Sequence, residues 1–249
     1  MTAGLQVLFE DEHCLAVLKP AGQPSQGTWA PPGETTLEQD VRRHLNPDAP
    51  ELAYVGIVHR LDRPVSGVIL WAKTLKAARR LSGQFEKRRV VKEYWAIVEM
   101  DDEAARPDGS KALPPPGDVW TDWLTRRTGT SGLIEVAEPE SPGAREAVTR
   151  VNIDSAIRLP AGVRWLRLWP ETGRTHQLRV QAAARGTPIL GDAAYGAKGD
   201  FAPGIALHAR ALRASHPITG EPLTLSAGPP RSWEEDWGIV LDAGPGAAE

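Results

Sequence analysis

Short runs of apolar residues, separated by polar or glycine- and proline-rich stretches, recur along most of the chain. Near the amino terminus, residues 5–10 (LQVLFE) and 14–20 (CLAVLKP) flank a short polar turn, a pattern typical of a β-hairpin. The run at 163–169 is expected to pair with residues 147–153 as a second hairpin. Further runs rich in β-branched and aromatic residues predict strands at 54–58, 68–72, 90–98, 119–124, 132–137, 146–153, 205–215 and 222–227.

Helical patterns are fewer. Thr36 and Gln39 have the spacing of a capping box, and apolar residues recur at helical intervals from there until Pro47 ends the helix. Thr74 is expected to cap a second helix over residues 75–88. The side chains predicted to face the core from this helix are Leu75, Ala78, Leu81 and Phe85.

Two more helices are predicted in the second half of the chain. Thr175 is expected to cap a helix that ends near Gly186, and residues 232–241 form a short helix. Because strands dominate without regular βαβ alternation, the predicted fold class is α+β, with a mixed, mainly antiparallel sheet flanked by helices. No compositional break marks a boundary, so residues 1–241 are predicted to form one domain and residues 242–249 a flexible tail.

A charged turn, HRLDRP at residues 59–64, separates two apolar runs and holds Asp62 between Arg60 and Arg63. Loops on a rigid scaffold are frequent positions for catalytic groups. A carboxylate can act as a nucleophile at a glycosidic centre, and a nearby guanidinium favours its ionised form. The alternative is an ordinary loop aspartate that hydrogen-bonds to its own backbone, and the residues of the turn leave both interpretations open.

The composition and the apolar runs bear on the cellular compartment of the protein. Cys14 is the single cysteine, so no intrachain disulfide can form, which fits a reducing compartment. No apolar run approaches the roughly 20 residues of a membrane span, and the amino terminus lacks the pattern of a signal peptide. A cytoplasmic location without membrane association is therefore expected.

Several kinds of site have no support in the sequence. One cysteine and six scattered histidines give no ligand pair at zinc spacing. There is no P-loop, no G-x-G-x-x-G after a strand and no G-x-S-x-G elbow. We therefore predict no metal, nucleotide or other cofactor.

Charge is distributed unevenly. The net charge is −3, but residues 73–92 contain eight basic residues and one acidic residue. A local positive field can attract a polyanion even when the total charge is negative. This segment is predicted to be either an RNA-binding surface or a solvated helix face.

The central stretch, HRLDRPVSGVILWAKT at residues 59–74, closely resembles the central motif of the RluA-type family of RNA pseudouridine synthases. Other pieces resemble the family in its own order and together span about residues 5–226. These pieces are VLFEDEHCLAVLKPAGQP (7–24), KEYWAIV (92–98), ETGRTHQLRVQAA (171–183), GDAAYG (191–196) and LHARAL with HPITGE (207–212 and 216–221).

The resemblance implies an enzyme that detaches uracil from its ribose, turns it and reattaches it through carbon 5, without a cofactor. Asp62 would be the nucleophile, Tyr94 would pack against the uracil, and Arg179 would pair with Asp62. Arg60 would fill the space left by the uridine, which must flip out of its stack to be reached. The other residues implied to contact the substrate are Leu178, His59 and Lys92.

Two positions depart from the family pattern. Gln181 stands where the family often has histidine, and Val65 where it often has threonine. These departures bear on substrate recognition more than on activity. Many relatives also carry a small amino-terminal RNA-binding domain of the S4 type. Because the first hairpin begins at about Leu5, we expect the catalytic domain, as a monomer, to recognise ribosomal or transfer RNA by itself.

Other interpretations stay open at this point. Tyr94 could be a core aromatic residue and Arg179 a surface residue. The chain could be a non-catalytic RNA-binding or chaperone protein on the same fold. A glycoside hydrolase would need a second carboxyl about 5–10 Å from Asp62, and the motif offers none. The sequence does not identify the RNA or the uridine.

Overall fold

The computed structural model describes residues 4–27, 33–100, 117–129, 132–153 and 159–237. The chain divides into two compact units, the first formed by Met1–Lys92 with Ala209–Pro229 and the second by Glu93–His208 with Pro230–Glu249. The predicted single domain over 1–241 stays a prediction. The predicted tail at 242–249 lies outside the described residues.

The secondary structure is dominated by strands. The strands are β1 (Gln6–Glu10), β2 (Cys14–Lys19), β3 (Gly56–Ile57), β4 (Ser66–Ala72), β5 (Val91–Glu99), β6 (Asp118–Arg126), β7 (Ile134–Ala137), β8 (Arg145–Ile153), β9 (Val163–Pro170), β10 (Leu207–Ser215) and β11 (Pro222–Ser226). The α-helices are α1 (Leu37–Leu45), α2 (Leu75–Glu86), α3 (Gln177–Ala184) and α4 (Ser232–Trp237), and Pro50–Leu52 and Ala193–Tyr195 form 3-10 turns. Within the described ranges, none of the helices has the length and apolar character of a membrane span.

Strand β4 is the centre of the first unit. It lies between β2 and β10 in the sheet and is buried along its whole length. Its alternate residues enter two apolar clusters, because successive side chains of a strand point to opposite faces. Leu70 packs in the cluster that contains Leu81 of α2, whereas Trp71 packs in the cluster that contains Val41 of α1. The turn before β4, which carries Asp62, therefore leads into a fully packed strand.

Gly67, at the start of β4, has a backbone conformation that side chains rarely adopt, with φ +129°. A Cβ atom at this position would also overlap the backbone of Ala209 in β10. Only glycine satisfies both conditions. The glycine of the central motif is thus required by the close approach of two strands.

The second unit contains an antiparallel sheet with the order β5-β9-β8-β6-β7. Trp165 of β9 is a centre of its core and packs edge-on against Trp95 and Trp233, at centroid distances of 5.1 and 5.8 Å. Helix α3, which carries Arg179, is buried over most of its length.

The predicted fold class is confirmed, since strand pairing is mainly antiparallel and the helices are few. The hairpin of β8 and β9 is present, and Thr36 and Gln39 form the predicted capping box of α1. The strand predicted at residues 54–58 is limited to Gly56–Ile57. Helix α4 is described to Trp237, so its predicted end at 241 lies outside the described residues.

Two helix predictions are wrong in detail. Leu75 is 54% exposed and does not face the core. The other three predicted residues do, since Leu81 is buried and Ala78 and Phe85 pack against the same apolar cluster, together with Ala77. Thr175 does not cap α3, since the N-cap position is His176 in a left-handed conformation with φ 53°. Gln177 stabilises this unusual start by accepting hydrogen bonds from the Thr172 hydroxyl and the Arg174 amide.

Candidate active site

Asp62 lies on a tight turn in the first unit. Its carbonyl accepts a 3.1 Å hydrogen bond from the Val65 amide, which closes the turn. The residues on either side differ in exposure: Leu61 is buried, Asp62 is half-buried, and Arg60 and Arg63 are exposed. The turn thus presents a partly accessible carboxylate while its apolar members anchor it in the core.

Lys19, at the end of β2, lies beneath this turn and is fully buried. Its ammonium donates to the carbonyls of Pro20, Gln23 and Arg63 at 2.8, 2.7 and 3.1 Å. Burial lowers the pKa of Lys19 to about 7, an effect that the negative charge of Asp62 opposes and the positive charge of Arg63 reinforces. Lys19 is therefore electrostatically coupled to Asp62 and joined to the next residue by a hydrogen bond.

Arg63, for which the sequence suggested no specific role, ties the same two segments together. Its Nε donates to the carbonyl of Gly22 at 2.7 Å, and its own carbonyl accepts from the Gly22 amide at 2.8 Å. This reciprocal pair fixes the turn at residues 62–65 to the turn that follows β2. The KPAG segment is thus the support of the Asp62 turn.

His59, a predicted substrate contact, is engaged by its own unit. Its Nε2 accepts a 2.9 Å hydrogen bond from the Leu70 amide, and its ring stacks on Phe85 at a centroid distance of 4.8 Å. Burial, with a smaller contribution from the Lys92 charge, lowers the pKa of His59 to about 3. The imidazole is therefore neutral near pH 7, with its proton on Nδ1, and anchors the start of the turn to β4.

Lys92 is the predicted substrate contact on the edge of the first unit. It is half-buried, and burial lowers the pKa of its ammonium to about 8. Desolvation of this kind disfavours the charged form of an ammonium.

Arg179, on α3 in the second unit, is held by a carboxylate that the sequence analysis did not assign. Asp192 accepts from Arg179 Nε at 2.7 Å and from Nη2 at 2.8 Å, and both residues are buried. The ring of Tyr195 packs on the guanidinium at 4.9 Å. Bidentate binding with an aromatic face fixes the plane of the guanidinium.

The remaining predicted residues of the second unit are Tyr94 and Leu178. Tyr94 is half-buried on β5 opposite Leu168 of β9, and Leu178 is buried in the first turn of α3. An incompletely buried aromatic ring on a paired strand is suited to stacking on a planar ligand.

Gln181, where the family often has histidine, has no exposed surface. Its carbonyl accepts from the Thr149 hydroxyl at 2.6 Å, and its amide donates to Asp122 at 2.8 Å. Further bonds reach the carbonyls of Trp120 and Ala147. The glutamine is thus a core residue that joins α3 to β6 and β8.

Three possible metal ligands, Asp11, Cys14 and His216, come within 4.8 Å of one another in the described part of the chain. His216 Nδ1 accepts a hydrogen bond from the Thr219 amide, so Nε2 carries the proton donated to Asp11 at 2.8 Å. Burial raises the pKa of the Cys14 thiol to about 12. Asp11 and His216 thus form a hydrogen-bonded pair beside the Cys14 thiol.

The predicted site residues divide between the two units. Arg60, Asp62, His59 and Lys92 belong to the first. Tyr94, Leu178 and Arg179 belong to the second. Sequence reasoning missed the supporting residues Lys19 and Asp192, although both stand in motifs of the resemblance, KPAG and GDAAYG.

Comparisons with known proteins agree with the motifs. Residues 13–184 match the family described as RNA pseudouridylate synthase. A tRNA pseudouridine synthase C from Yersinia pestis is 35% identical over 245 residues, which cover 94% of this chain and 88% of the relative. A ribosomal large subunit pseudouridine synthase D from Vibrio parahaemolyticus is 36% identical over 240 residues, which cover 90% of this chain and 66% of the relative.

Two solved structures of proteins named for RNA pseudouridylate synthase domains are similar to this chain. Human RNA pseudouridylate synthase domain containing 1 is 25% identical, with a TM-score of 0.71, and the match covers 94% of this chain and 88% of that one. Human RNA pseudouridylate synthase domain containing 4, at 23% identity and a TM-score of 0.66, has the same fold over 91% of this chain and 89% of that one.

Proposed function

Because the chain belongs to the RNA pseudouridylate synthase family, we propose that it converts uridine in transfer RNA to pseudouridine with Asp62 as the nucleophile. The reaction replaces the C1′–N1 bond of uridine by a C1′–C5 bond, so substrate and product are isomers. The proton lost from carbon 5 is balanced by one gained at N1. Uracil is the leaving group at C1′ and returns to the same carbon, so no oxidant, reductant or external group is needed.

The hydrogen bonds that hold the Asp62 turn in place are the main support for Asp62 as the nucleophile. Asp62 is half-buried. The carbonyl of the next residue, Arg63, accepts hydrogen bonds from Lys19 and Gly22. A nucleophile needs such fixed geometry, because reaction rates fall steeply when the attacking atom is misplaced.

Transfer RNA is favoured over ribosomal RNA by the extent of similarity. The two relatives have nearly equal identity, but the match covers 88% of the tRNA enzyme and 66% of the rRNA enzyme. The similarity to the tRNA enzyme thus extends over most of that protein's length. Ribosomal RNA is the second candidate.

A surface for RNA is available on the first unit. Helix α2 and the turn after it expose six basic side chains: Lys76, Arg79, Arg80, Lys87, Arg88 and Arg89. Exposed lysine and arginine residues on one element can neutralise successive phosphates. We propose that this surface, called here the α2 basic surface, binds the RNA backbone.

The other predicted functions stay predictions. Tyr94 is proposed to stack on the uracil, Arg179 to pair with Asp62, and Arg60 to occupy the space of the flipped uridine. Leu178, Lys92 and His59 are proposed to line the substrate, with the main role of His59 in supporting the turn. A monomeric state and a cytoplasmic location also stay predictions.

The experiment is pseudouridine mapping of transfer and ribosomal RNA from cells with and without the gene. We expect at least one tRNA uridine to lose its modification in the deletion strain. Re-expression of the chain should restore it, and re-expression of Asp62→Asn should not. Loss at a 23S rRNA site alone would transfer the proposal to ribosomal RNA, and an unchanged map in both RNAs would contradict it.

A further inference from the structure

Leu61, the residue directly before Asp62, is bound by a serine hydroxyl from a distant part of the sequence. Ser25 Oγ donates to the Leu61 carbonyl at 2.6 Å and accepts from the Leu61 amide at 3.2 Å. Both residues are buried, Ser25 with 6% and Leu61 with 5% of its surface exposed. One hydroxyl thus satisfies both polar backbone groups of the residue beside the proposed nucleophile.

Ser25 is itself held firmly. Its carbonyl accepts from the Glu38 amide at 3.1 Å, and the preceding carbonyl, of Pro24, accepts from the Leu37 amide at 2.9 Å. These amides belong to the first turn of α1, where backbone N–H groups have no partners inside the helix. The first turn of α1 therefore fixes Ser25, and Ser25 fixes Leu61.

The opposite side of Asp62 is held from the same segment. Arg63 is bound through its carbonyl by Lys19 and Gly22, which precede Ser25 by a few residues. Asp62 thus stands between two residues whose backbones are anchored to residues 19–25. Anchoring at both neighbours restricts the backbone torsions that set the direction of the carboxylate.

We propose that Ser25 is a positioning residue for catalysis, acting through Leu61 to orient the Asp62 carboxylate. The inference rests on the proposed function of Asp62 as nucleophile. It differs from a purely structural function of a buried hydroxyl, because it requires a loss in the chemical step when the hydroxyl is removed. By holding Ser25, the first turn of α1 also affects catalysis, although α1 contains no candidate site residue.

The test compares Ser25→Ala with Ser25→Thr, which keeps a hydroxyl. Thr74→Ala is the matched control, since it removes a hydroxyl that bonds a backbone amide of α2 in the same unit. The substrate is tRNA labelled with tritium at carbon 5 of uridine and isolated from cells that lack the gene. Tritium release with enzyme in excess reports the chemical step, and its dependence on enzyme concentration reports RNA binding.

Ser25→Ala is expected to slow release about 10- to 100-fold at saturating enzyme, because a displacement on the order of 1 Å has effects of this size. Half-saturation should be unchanged, Ser25→Thr should recover most of the rate, and Thr74→Ala should react at the wild-type rate. Equal losses in Ser25→Ala and Thr74→Ala would overturn the inference, as would a loss confined to RNA binding.

A parallel Asp62→Asn sample separates the two proposals. If Asp62→Asn is inactive and Ser25→Ala reacts at the wild-type rate, the positioning inference is overturned and the nucleophile stands. If Asp62→Asn retains full activity, the proposed function is overturned and the inference with it.

Discussion

The hydrogen bonds that anchor the turn around Asp62 are made largely by the backbones of its neighbours. Leu61 binds the Ser25 hydroxyl, and Arg63 binds Lys19 and Gly22. These hydrogen bonds hold the turn without using the Asp62 carboxylate, which is the group proposed to react. A substitution of that carboxylate is therefore expected to preserve the fold.

His59 provides a pH-dependent test of the same turn. Its pKa is about 3 in the folded protein against an ordinary value of 6.5, so the unfolded chain binds a proton first as the pH falls. The stability contributed by neutral His59 is present above pH 6.5 and is lost progressively down to about pH 3. From pH 7.5 to pH 5 the loss is about 2 kcal/mol.

Urea unfolding at the two pH values measures this loss. His59→Gln keeps an acceptor for the Leu70 amide but does not titrate, so its free energy of unfolding should change by about 2 kcal/mol less than that of the wild type. The same pH dependence in both proteins would show that folding does not lower the pKa of His59.

Helix α2 has one face buried in the core and an opposite face that is charged and exposed. Ala77 and Leu81 are fully buried, while the basic residues on the opposite face are exposed. The helix is also attached to the end of β10, since Gln84 exchanges two hydrogen bonds with the backbone of Ser215. The backbone of the helix that carries the α2 basic surface is therefore anchored to both the core and β10.

Charge reversal tests whether that surface binds RNA. Arg79→Glu combined with Lys87→Glu should weaken tRNA binding and reduce the slope of log affinity against log salt by about one to two units, since each phosphate contact contributes about 0.9. The matched control is Arg126→Glu with Arg145→Glu, which changes the net charge equally on exposed positions of the second unit. An equal effect of both pairs would identify a solvated helix face that acts only through total charge.

Elements were predictable where a local rule decides them. The capping box of α1 and the hairpin of β1 and β2 follow from residues close in sequence. The start of α3 could not be predicted in this way. It depends on hydrogen bonds from Thr172 and Arg174 to Gln177, which leave no periodic pattern in the sequence. Leu75 was misassigned because apolarity at a helix start does not determine which way the side chain faces.

For the whole molecule, family resemblance predicted more than residue patterns did. The division into two units was not visible in the sequence, because two of the three points at which the chain passes between the units lie inside β5 and β10. The third lies between Pro229 and Pro230. Motif order selected Asp62, Tyr94 and Arg179 as candidates. The carboxylate bound to Arg179 and the hydroxyl bound to Leu61 depend on tertiary contacts. Asp192 and Ser25 were therefore visible only in the structure.

The proposed formation of pseudouridine through Asp62 is tested most directly by tritium release from carbon-5-labelled tRNA. Release is measured for wild type and Asp62→Asn, with folding and RNA affinity measured on the same samples. We expect unchanged folding and affinity with no detectable release by Asp62→Asn. Release at the wild-type rate by Asp62→Asn would contradict the proposal.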